Sequence, residues 1–203
     1  MTLVVVLDLL GVFVFALSGA TLAVERRLDA FGVLFLAGVA ALGGGVARDL
    51  LLEVPVVALQ DSRYLLVPLV AGGLVFFFSP LVVRLAGAVR LFDAAGLGLF
   101  VAVGTAKALD SGLGAVPAVA LGCLTGIGGG VLRDVLAGVV PVVLRREVYA
   151  VPALLGAAVV VAADGRGLSG PGPLISAVML VFALRMLGIW QDWHAPVAPQ
   201  RRR

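Results

Sequence analysis

Two stretches of the chain share a pattern of three glycines followed by an arginine and an aspartate. GGGVARDLLLE begins at Gly43 and GGGVLRDVLAG begins at Gly128, and seven of the eleven positions are identical. Each copy places a cation beside an anion, in the pairs Arg48–Asp49 and Arg133–Asp134. Such pairs can bind an ion, hold a polar substrate or join two helices. Which of these they do depends on the solvent around them.

The composition indicates that lipid is the main solvent of the chain. Of the 203 residues, 62% are hydrophobic and only 13% are charged, and the mean hydropathy is +1.16. A water-soluble fold of this length cannot bury so much apolar surface, because burial has a geometric ceiling. A membrane-spanning helix needs about 20 apolar residues. Seven such runs are predicted, over 3–24, 30–47, 63–84, 92–109, 114–132, 147–163 and 172–190.

The separation of Gly43 from Gly128, which we call the repeat offset, extends beyond the glycines. At the same separation Asp8 corresponds to Asp93, and Tyr64 corresponds to Tyr149. We therefore expect an all-α integral membrane protein with two three-helix repeats and a seventh helix. Because three spans, an odd number, leave the chain on the opposite side of the membrane, the second repeat must be inverted relative to the first. Inverted repeats place a binding or conduction site near the midplane. The expected divisions are a first repeat over 1–90, an inverted second repeat over 91–166, a seventh helix over 167–190 and a polar tail over 191–203.

The glycine triplets predict breaks in the second and fifth spans. Consecutive glycines point in different directions around a helix, so they are expected to pack poorly as a face. Each also weakens a helix by about 1 kcal/mol relative to alanine. Backbone groups freed by a break are tolerated in a membrane only where protein or water satisfies them. The predicted kink residues are Gly43, Gly44, Gly45, Gly128, Gly129 and Gly130.

The Arg-Asp pairs are predicted to join the two halves of the chain. Buried ionisable groups in a membrane usually face a wet cavity or a partner. Adjacent residues on one helix do not face each other, so we expect cross-pairs of Arg48 with Asp134 and of Arg133 with Asp49. The alternative is that each pair only marks the membrane interface.

Other polar residues inside the spans are candidates for lining or gating a path: Ser18, Thr21, Thr105, Lys107 and Thr125. Serine and threonine in membrane helices commonly bond the carbonyl four residues earlier. Lys107 either extends to the outer interface or places a positive charge in the path, where it would sense voltage. Asp8 and Asp93 head equivalent spans, where an acid complements a helix N-terminus.

The sequence offers no catalytic or metal-binding set, so we predict no enzyme activity, no metal and no cofactor. Cys123 and His194 are single, which leaves no zinc constellation, and GIGGGV at 126–131 lacks the last glycine of a dinucleotide fingerprint. The basic residues form short clusters without interleaved aromatics, which argues against nucleic acid as a partner. Ten arginines lie in one set of end segments, against four basic residues in the other. This bias predicts an outer N-terminus and a cytoplasmic C-terminus in the inner membrane.

The order of three, three and one spans, with GGGVARD in the second and GGGVLRDVLAG in the fifth, resembles the prokaryotic trimeric intracellular cation channel family. The resemblance extends from about Asp8 to Trp190. It implies a homotrimer in membrane lipid, with one pore per subunit around the kinked spans two and five, that conducts monovalent cations, chiefly potassium. Permeant potassium or sodium ions and bound lipid are then the expected ligands. Relatives are also labelled glycine transporters, so a carrier that binds a small zwitterion through Asp49 or Asp134 remains open.

Overall fold

The structure is a bundle of α-helices. The computed structural model describes residues 3–80, 87–144, 149–168 and 170–191, and no strand occurs within these ranges. The helices are α1 (Leu3–Glu25), α2 (Ala30–Leu51), the single turn α3 (Val57–Gln60), α4 (Arg63–Phe77), α5 (Ala88–Asp110), α6 (Ala115–Leu136), α7 (Ala150–Asp164) and α8 (Pro171–Trp190), with a 3-10 turn at Val142–Leu144 after α6. Beyond Gln191 the predicted polar tail, including His194, lies outside the described residues.

Five of these helices are long and apolar enough to cross a membrane, namely α1, α2, α5, α6 and α8. The helices α4 and α7 are also apolar but have 15 residues each within the described ranges. Large apolar side chains face outward, among them Phe31 at 74% exposed and Phe77 at 79%. Large exposed apolar surface is rare in soluble monomers and is typical of contact with lipid or a partner. The chain is therefore an all-helical membrane protein.

The centre of the bundle is the contact between α1 and α5. The rings of Phe15 and Phe100 lie with their centroids 5.2 Å apart, and both side chains are buried. Each ring covers a glycine on the other helix. A Cβ on Gly11 would lie 2.6 Å from Phe100, and a Cβ on Gly96 would lie 2.7 Å from Phe15. The two contacts are equivalent under the repeat offset, so the sequence repeat is also a repeat in packing.

The glycine triplets lie inside continuous helices, so the predicted breaks are wrong. Helix α2 runs unbroken through Gly43–Gly45 to Leu51, and α6 runs through Gly128–Gly130 to Leu136. Both helices extend four residues past the predicted ends of their spans. The reason is the solvent: each unsatisfied backbone group costs several kcal/mol in a bilayer, which outweighs about 1 kcal/mol of helix propensity per glycine.

The middle glycine of each triplet is the point at which α2 and α6 touch. A methyl group on Gly44 would overlap the carbonyl oxygen of Thr125, and one on Gly129 would overlap the carbonyl oxygen of Ala40. These two contacts are again equivalent under the repeat offset. The expectation that the triplets pack poorly is therefore wrong, because small residues at the crossing let the two backbones approach closely.

Candidate functional site

Five polar side chains from four helices form the first cluster: Asp8 of α1, Arg48 and Asp49 of α2, Tyr64 of α4 and Lys107 of α5. Arg48 Nε donates to Asp49 Oδ1 at 2.7 Å, and Arg48 Nη1 lies 3.5 Å from Asp8 Oδ1. The Tyr64 hydroxyl donates to Asp8 Oδ2 at 2.9 Å. Lys107 Nζ donates to Asp49 Oδ1 at 2.8 Å. Lys107 is partly exposed and the other four are buried, so the lysine is the member of the cluster that reaches the surface of the bundle.

Six polar side chains form the second cluster: Ser18 of α1, Asp93 of α5, Arg133 and Asp134 of α6, Tyr149 just before α7 and Arg185 of α8. Arg133 Nε donates to Asp134 Oδ1 at 2.8 Å, and Arg133 Nη1 donates to Asp93 Oδ1 at 2.9 Å and to the Ser18 hydroxyl. The Tyr149 hydroxyl donates to Asp93 Oδ1 at 3.0 Å. Arg185 Nη2 lies 3.4 Å from Asp93 Oδ2. All six are buried.

The two clusters share one pattern of contacts. In each, the arginine forms ion pairs with the next aspartate in sequence and with an aspartate on the first helix of the same repeat. A tyrosine hydroxyl donates to that second aspartate. The far oxygen of the adjacent aspartate accepts a backbone N–H from the turn that follows the helix, from Val57 at 3.0 Å after α2 and from Val142 at 3.1 Å after α6. The repeat therefore specifies a buried arginine with two carboxylates and a tyrosine, and it ties each arginine-bearing helix to the turn after it.

The clusters lie at opposite ends of the bundle. Helix α1 reaches the first cluster through Asp8 and the second through Ser18, ten residues and about 15 Å further along. Helix α5 reaches the second through Asp93 and the first through Lys107. The start of α1 and the end of α5 therefore lie at the same end, so these equivalent helices are antiparallel, as an inverted repeat requires.

Each cluster also contains one cation that the repeat does not supply. The repeated set of one arginine and two aspartates carries a net charge of −1. Lys107 from α5 completes the first cluster, and Arg185 from α8 completes the second. The position equivalent to Lys107 is Leu22, and α8 lies outside both repeats. Counted over the described residues, both clusters therefore reach a net charge of zero, the first through Lys107 and the second through Arg185.

The predicted cross-pairs between the two halves are wrong. Arg48 pairs with Asp49 and Asp8, and Arg133 pairs with Asp134 and Asp93. The contacts of Gly44 with Thr125 and of Gly129 with Ala40 fix the crossing of α2 and α6. On these antiparallel helices Asp134 is level with residue 35, about 20 Å from Arg48 along the helix axis. Adjacent residues pair as well, contrary to the expectation from helix geometry, because Arg48 and Arg133 each turn Nε back onto the next residue.

Asp8 and Asp93 do not cap helix N-termini, contrary to the sequence-based interpretation. Each is the sixth residue of its helix, and neither α1 nor α5 has an acid in its first turn. Both instead accept hydrogen bonds from a buried tyrosine, Tyr64 or Tyr149. A helix dipole acts only within the first turn, so it does not account for either position.

The remaining candidates separate into two groups. The hydroxyls of Thr21, Thr105 and Thr125 donate to the carbonyls four residues earlier, at 2.7, 2.8 and 2.7 Å. Each hydroxyl therefore forms its hydrogen bond within its own helix. Ser18 and Lys107 instead belong to the clusters. The lysine side chain is 23% exposed and bonds Asp49, which places its ammonium group beside the buried carboxylate.

Sequence reasoning missed Arg185 and the two tyrosines as site residues. The tyrosines were visible only as matched positions of the repeat, Tyr64 and Tyr149. Arg185 was visible as a lone arginine inside an apolar span, which is costly in lipid and signals a buried partner. Its guanidinium carbon lies 4.4 Å from the centroid of the Tyr149 ring, within the range of a cation–π contact.

The two clusters differ in the space beside them. A cavity of about 10 Å³ adjoins Asp8, Arg48, Asp49 and Tyr64, which is room for about one water molecule. Arg48 Nη1 is buried there without a hydrogen-bond partner among the described residues. A cavity of about 150 Å³ adjoins Asp93, Arg133 and Arg185. The second cluster therefore has room for a hydrated ion, and the first has not.

Comparisons with known proteins agree with this architecture. The sequence model of a family described as glycine transporter matches residues 5–80 and 90–164. A UPF0126 membrane protein from Vibrio cholerae is 39% identical over 195 residues, which covers 95% of this chain and 81% of the relative. The crystal structure of the TRIC trimeric intracellular cation channel orthologue from Rhodobacter sphaeroides has a TM-score of 0.89 at 37% identity, over 95% of this chain and 100% of the other. A solved TRIC cation channel has a TM-score of 0.89 at 31% identity over 100% of both chains.

The likeness covers the residues that form the site. The two segments matched by the family model contain Asp8, Arg48 and Tyr64 in the first and Asp93 and Arg133 in the second. The solved relatives match essentially the whole chain, so the likeness is one of whole architecture and not of a shared motif alone. The chain therefore belongs to the prokaryotic TRIC family.

Proposed function

We propose that the protein is a channel for monovalent cations, mainly potassium, that acts as a homotrimer with one pore in each subunit. The relatives solved as TRIC cation channels support this proposal, because they match over essentially their full length at 31–37% identity. We further propose seven spans in the inner membrane, with α4 and α7 as the third span of each repeat. The N-terminus is outside and the C-terminus is cytoplasmic, as the arginine distribution favours.

The observation that carries the proposal is the neutralisation of both intramembrane arginines. A bare guanidinium within a few ångströms of a permeant cation would repel it strongly at low dielectric. Arg48 lies against Asp8 and Asp49, and the equivalent contacts surround Arg133. Each cluster has no net charge, so a cation can pass beside it without meeting an unpaired positive group.

We propose that the pore is formed around α2 and α6, which each carry the Arg-Asp pair of one cluster. The cavity of about 10 Å³ at the first cluster holds about one water, so we assign this structure to a closed state. Opening requires movement at Asp49 and Lys107, since the lysine is the one partly exposed member of that cluster. Ser18 and Lys107 are therefore the proposed pore-lining or gating residues.

The alternative is a carrier for glycine or a similar zwitterion, which the description of the matching family model favours. Such a carrier would hold the carboxylate at helix N-termini freed by breaks at the glycines. Helices α2 and α6 are continuous there, so the donors for that carboxylate are already bonded within the helices. The continuous helices therefore support the channel.

Flux through the purified protein in liposomes tests the proposal. One set of vesicles is loaded with potassium, and the other is given radiolabelled glycine on the outside. We expect voltage-driven potassium flux and no saturable glycine uptake. Asp49→Asn gives the first cluster a net positive charge and should lower potassium flux several-fold, whereas Asp61→Asn, the same substitution at an exposed ion pair, should leave it unchanged. Saturable glycine uptake without potassium flux would replace the channel with the carrier.

A further inference from the structure

Helix α8, the proposed seventh span, contributes one arginine to the second cluster. Arg185 is 2% exposed, and its Nη2 lies 3.4 Å from Asp93 Oδ2. Its guanidinium carbon lies over the Tyr149 ring, 4.4 Å from the centroid. Asp93 makes shorter contacts through its other oxygen, to Arg133 at 2.9 Å and to Tyr149 at 3.0 Å. Arg185 is thus the most distant of these three donors to Asp93, and the aromatic ring helps to hold it in place.

The space beside this contact suits a small cation. The cavity of about 150 Å³ is lined by Val89, Arg90, Asp93, Arg133, Val142, Arg185 and Ile189. Among these lining residues the carboxylate is that of Asp93. Arg133 is already committed to Asp93 and Asp134, and Arg90 is exposed, so its charge is screened by salt. Without the guanidinium at position 185, the cluster would have a net charge of −1 beside a cavity that can hold an ion and water.

We propose that Arg185 is a tethered cation that occupies a latent site for a monovalent metal ion at Asp93 Oδ2. Carboxylate, hydroxyl and water oxygens are the ligands that hard cations prefer. The Asp93 carboxylate supplies one of them, and water in the cavity supplies the rest. The proposal rests on the proposed function, because permeant potassium is the ion that reaches this site.

Occupation of the site by Arg185 has a consequence for conduction. An ion must bind well enough to enter a pore and weakly enough to leave it. A buried carboxylate with one negative charge in excess would hold potassium and slow its exit. Arg185 removes that excess permanently, since it is buried and lies over the Tyr149 ring. Lys107 in the first cluster is 23% exposed and can move away from Asp49. Helix α8 thereby prevents the second cluster from binding the permeant ion too tightly.

The test is potassium binding by the full-length protein in detergent, read as thermal unfolding. Potassium chloride is compared with N-methylglucamine chloride at equal ionic strength, because that organic cation is too large for the cavity. We expect Arg185→Met to gain about 3–6 °C in potassium at roughly tenfold excess over the dissociation constant. The wild type and Arg185→Lys, which keep a tethered cation, should show no potassium-specific shift. Arg185→Met combined with Asp93→Asn should lose the shift.

Flux gives a second readout that separates the two proposals. In Arg185→Met the potassium flux should saturate at a lower concentration than in the wild type, and Arg185→Lys should restore the wild-type curve. No potassium flux through the wild type, together with a potassium shift in Arg185→Met, would reject the channel and keep the site. Wild-type flux without a potassium shift in Arg185→Met, or a shift that survives Asp93→Asn, would overturn the site and keep the channel.

Failure of the variant to fold is also informative. If Arg185→Met aggregates in N-methylglucamine, purification in potassium should recover it, because the ion then replaces the missing charge. Arg185→Gln, which is neutral and closer in shape, is carried through the same comparison. Failure of potassium to recover or stabilise both variants would contradict the latent site.

Discussion

Gly44 of α2 lies against the carbonyl oxygen of Thr125 in α6, so closely that a methyl group on the glycine would overlap it. The equivalent contact joins Gly129 to the carbonyl oxygen of Ala40. Two backbone-to-backbone contacts fix the crossing of α2 and α6, because no flexible side chain lies between the helices at these contacts that could adjust. They also set how far apart the two charged clusters lie.

Alanine at the crossing is expected to destabilise the protein. Gly44→Ala and Gly129→Ala force the backbones apart, and overpacking costs about 1–3 kcal/mol or more. Gly38→Ala in the same helix is the matched control, because nothing lies within 4 Å of a Cβ there, and it should be neutral or stabilising since alanine favours helix. Thermal unfolding in detergent is the measurement. Equal melting temperatures for Gly38→Ala and Gly44→Ala would contradict the crossing.

Removal of either buried tyrosine hydroxyl should destabilise its cluster. Tyr64→Phe and Tyr149→Phe each take one donor from a carboxylate, Asp8 or Asp93. A hydrogen bond to a charged group contributes about 1.5–3 kcal/mol, and both phenylalanines keep the packing. Chemical or thermal unfolding of the two variants measures the loss. A loss in both variants that is smaller than the contribution of an ordinary neutral hydrogen bond would show that other donors, such as water, replace the hydroxyls.

Ser18 is expected to matter more than the threonine one turn further along the same helix. Its hydroxyl accepts from Arg133 and donates to the carbonyl of Val89 at 3.2 Å. Ser18→Ala leaves a buried donor with one partner fewer and should cost about 1–3 kcal/mol. Thr21→Val also removes one hydroxyl, but that hydroxyl bonds only its own helix at Leu17. Unfolding of the two variants is compared, and a larger loss in Thr21→Val would refute this ranking.

Lys107 is expected to set the voltage dependence of conduction. Its ammonium group donates to Asp49, and in the proposed channel it leaves this carboxylate on opening. A unit charge that crosses the full field does about 2.3 kcal/mol of work per 100 mV. Lys107→Gln should therefore flatten the relation between open probability and voltage in planar bilayers. Lys107→Arg retains the charge and should keep the slope. An unchanged slope in Lys107→Gln would assign the voltage sensor to another residue.

The exposed pair of Asp61 and Arg63 gives a pH-dependent prediction outside the membrane. Arg63 donates to both carboxylate oxygens, with Nη2 at 2.6 Å from Oδ2. These hydrogen bonds lower the pKa of Asp61 below its ordinary value of 3.8. The pair therefore stabilises the fold above that ordinary value, and the contribution is lost as the pH falls through the lowered pKa. The difference in melting temperature between the wild type and Asp61→Asn should be small, as for surface pairs generally, and should shrink in acid. A difference that grows in acid would contradict the assignment.

Much of the architecture follows from the order of residues alone. A chain with 62% hydrophobic residues must meet lipid, and lipid allows only helices or a closed barrel because backbone groups have to be bonded. Apolar runs of about 20 residues select helices. The repeat offset specified the two units, and the match of Asp8 with Asp93 and of Tyr64 with Tyr149 already contained members of both clusters. A local pattern is sufficient for such conclusions, because they depend on solvent and spacing and not on which atoms touch.

The pairing of the charges and the use of the glycines were decided only by the tertiary structure. The sequence offers several carboxylates as partners for Arg48. The crossing of α2 and α6, a contact between residues far apart in sequence, keeps Arg48 away from Asp134. The glycines were predicted to break helices because propensity is a local property, whereas the packing of Gly44 on Thr125 is not. The contact of Arg185 with Asp93 was likewise not predictable from the sequence. Arg185 lies outside both repeats, so it has no equivalent position from which the contact could be inferred.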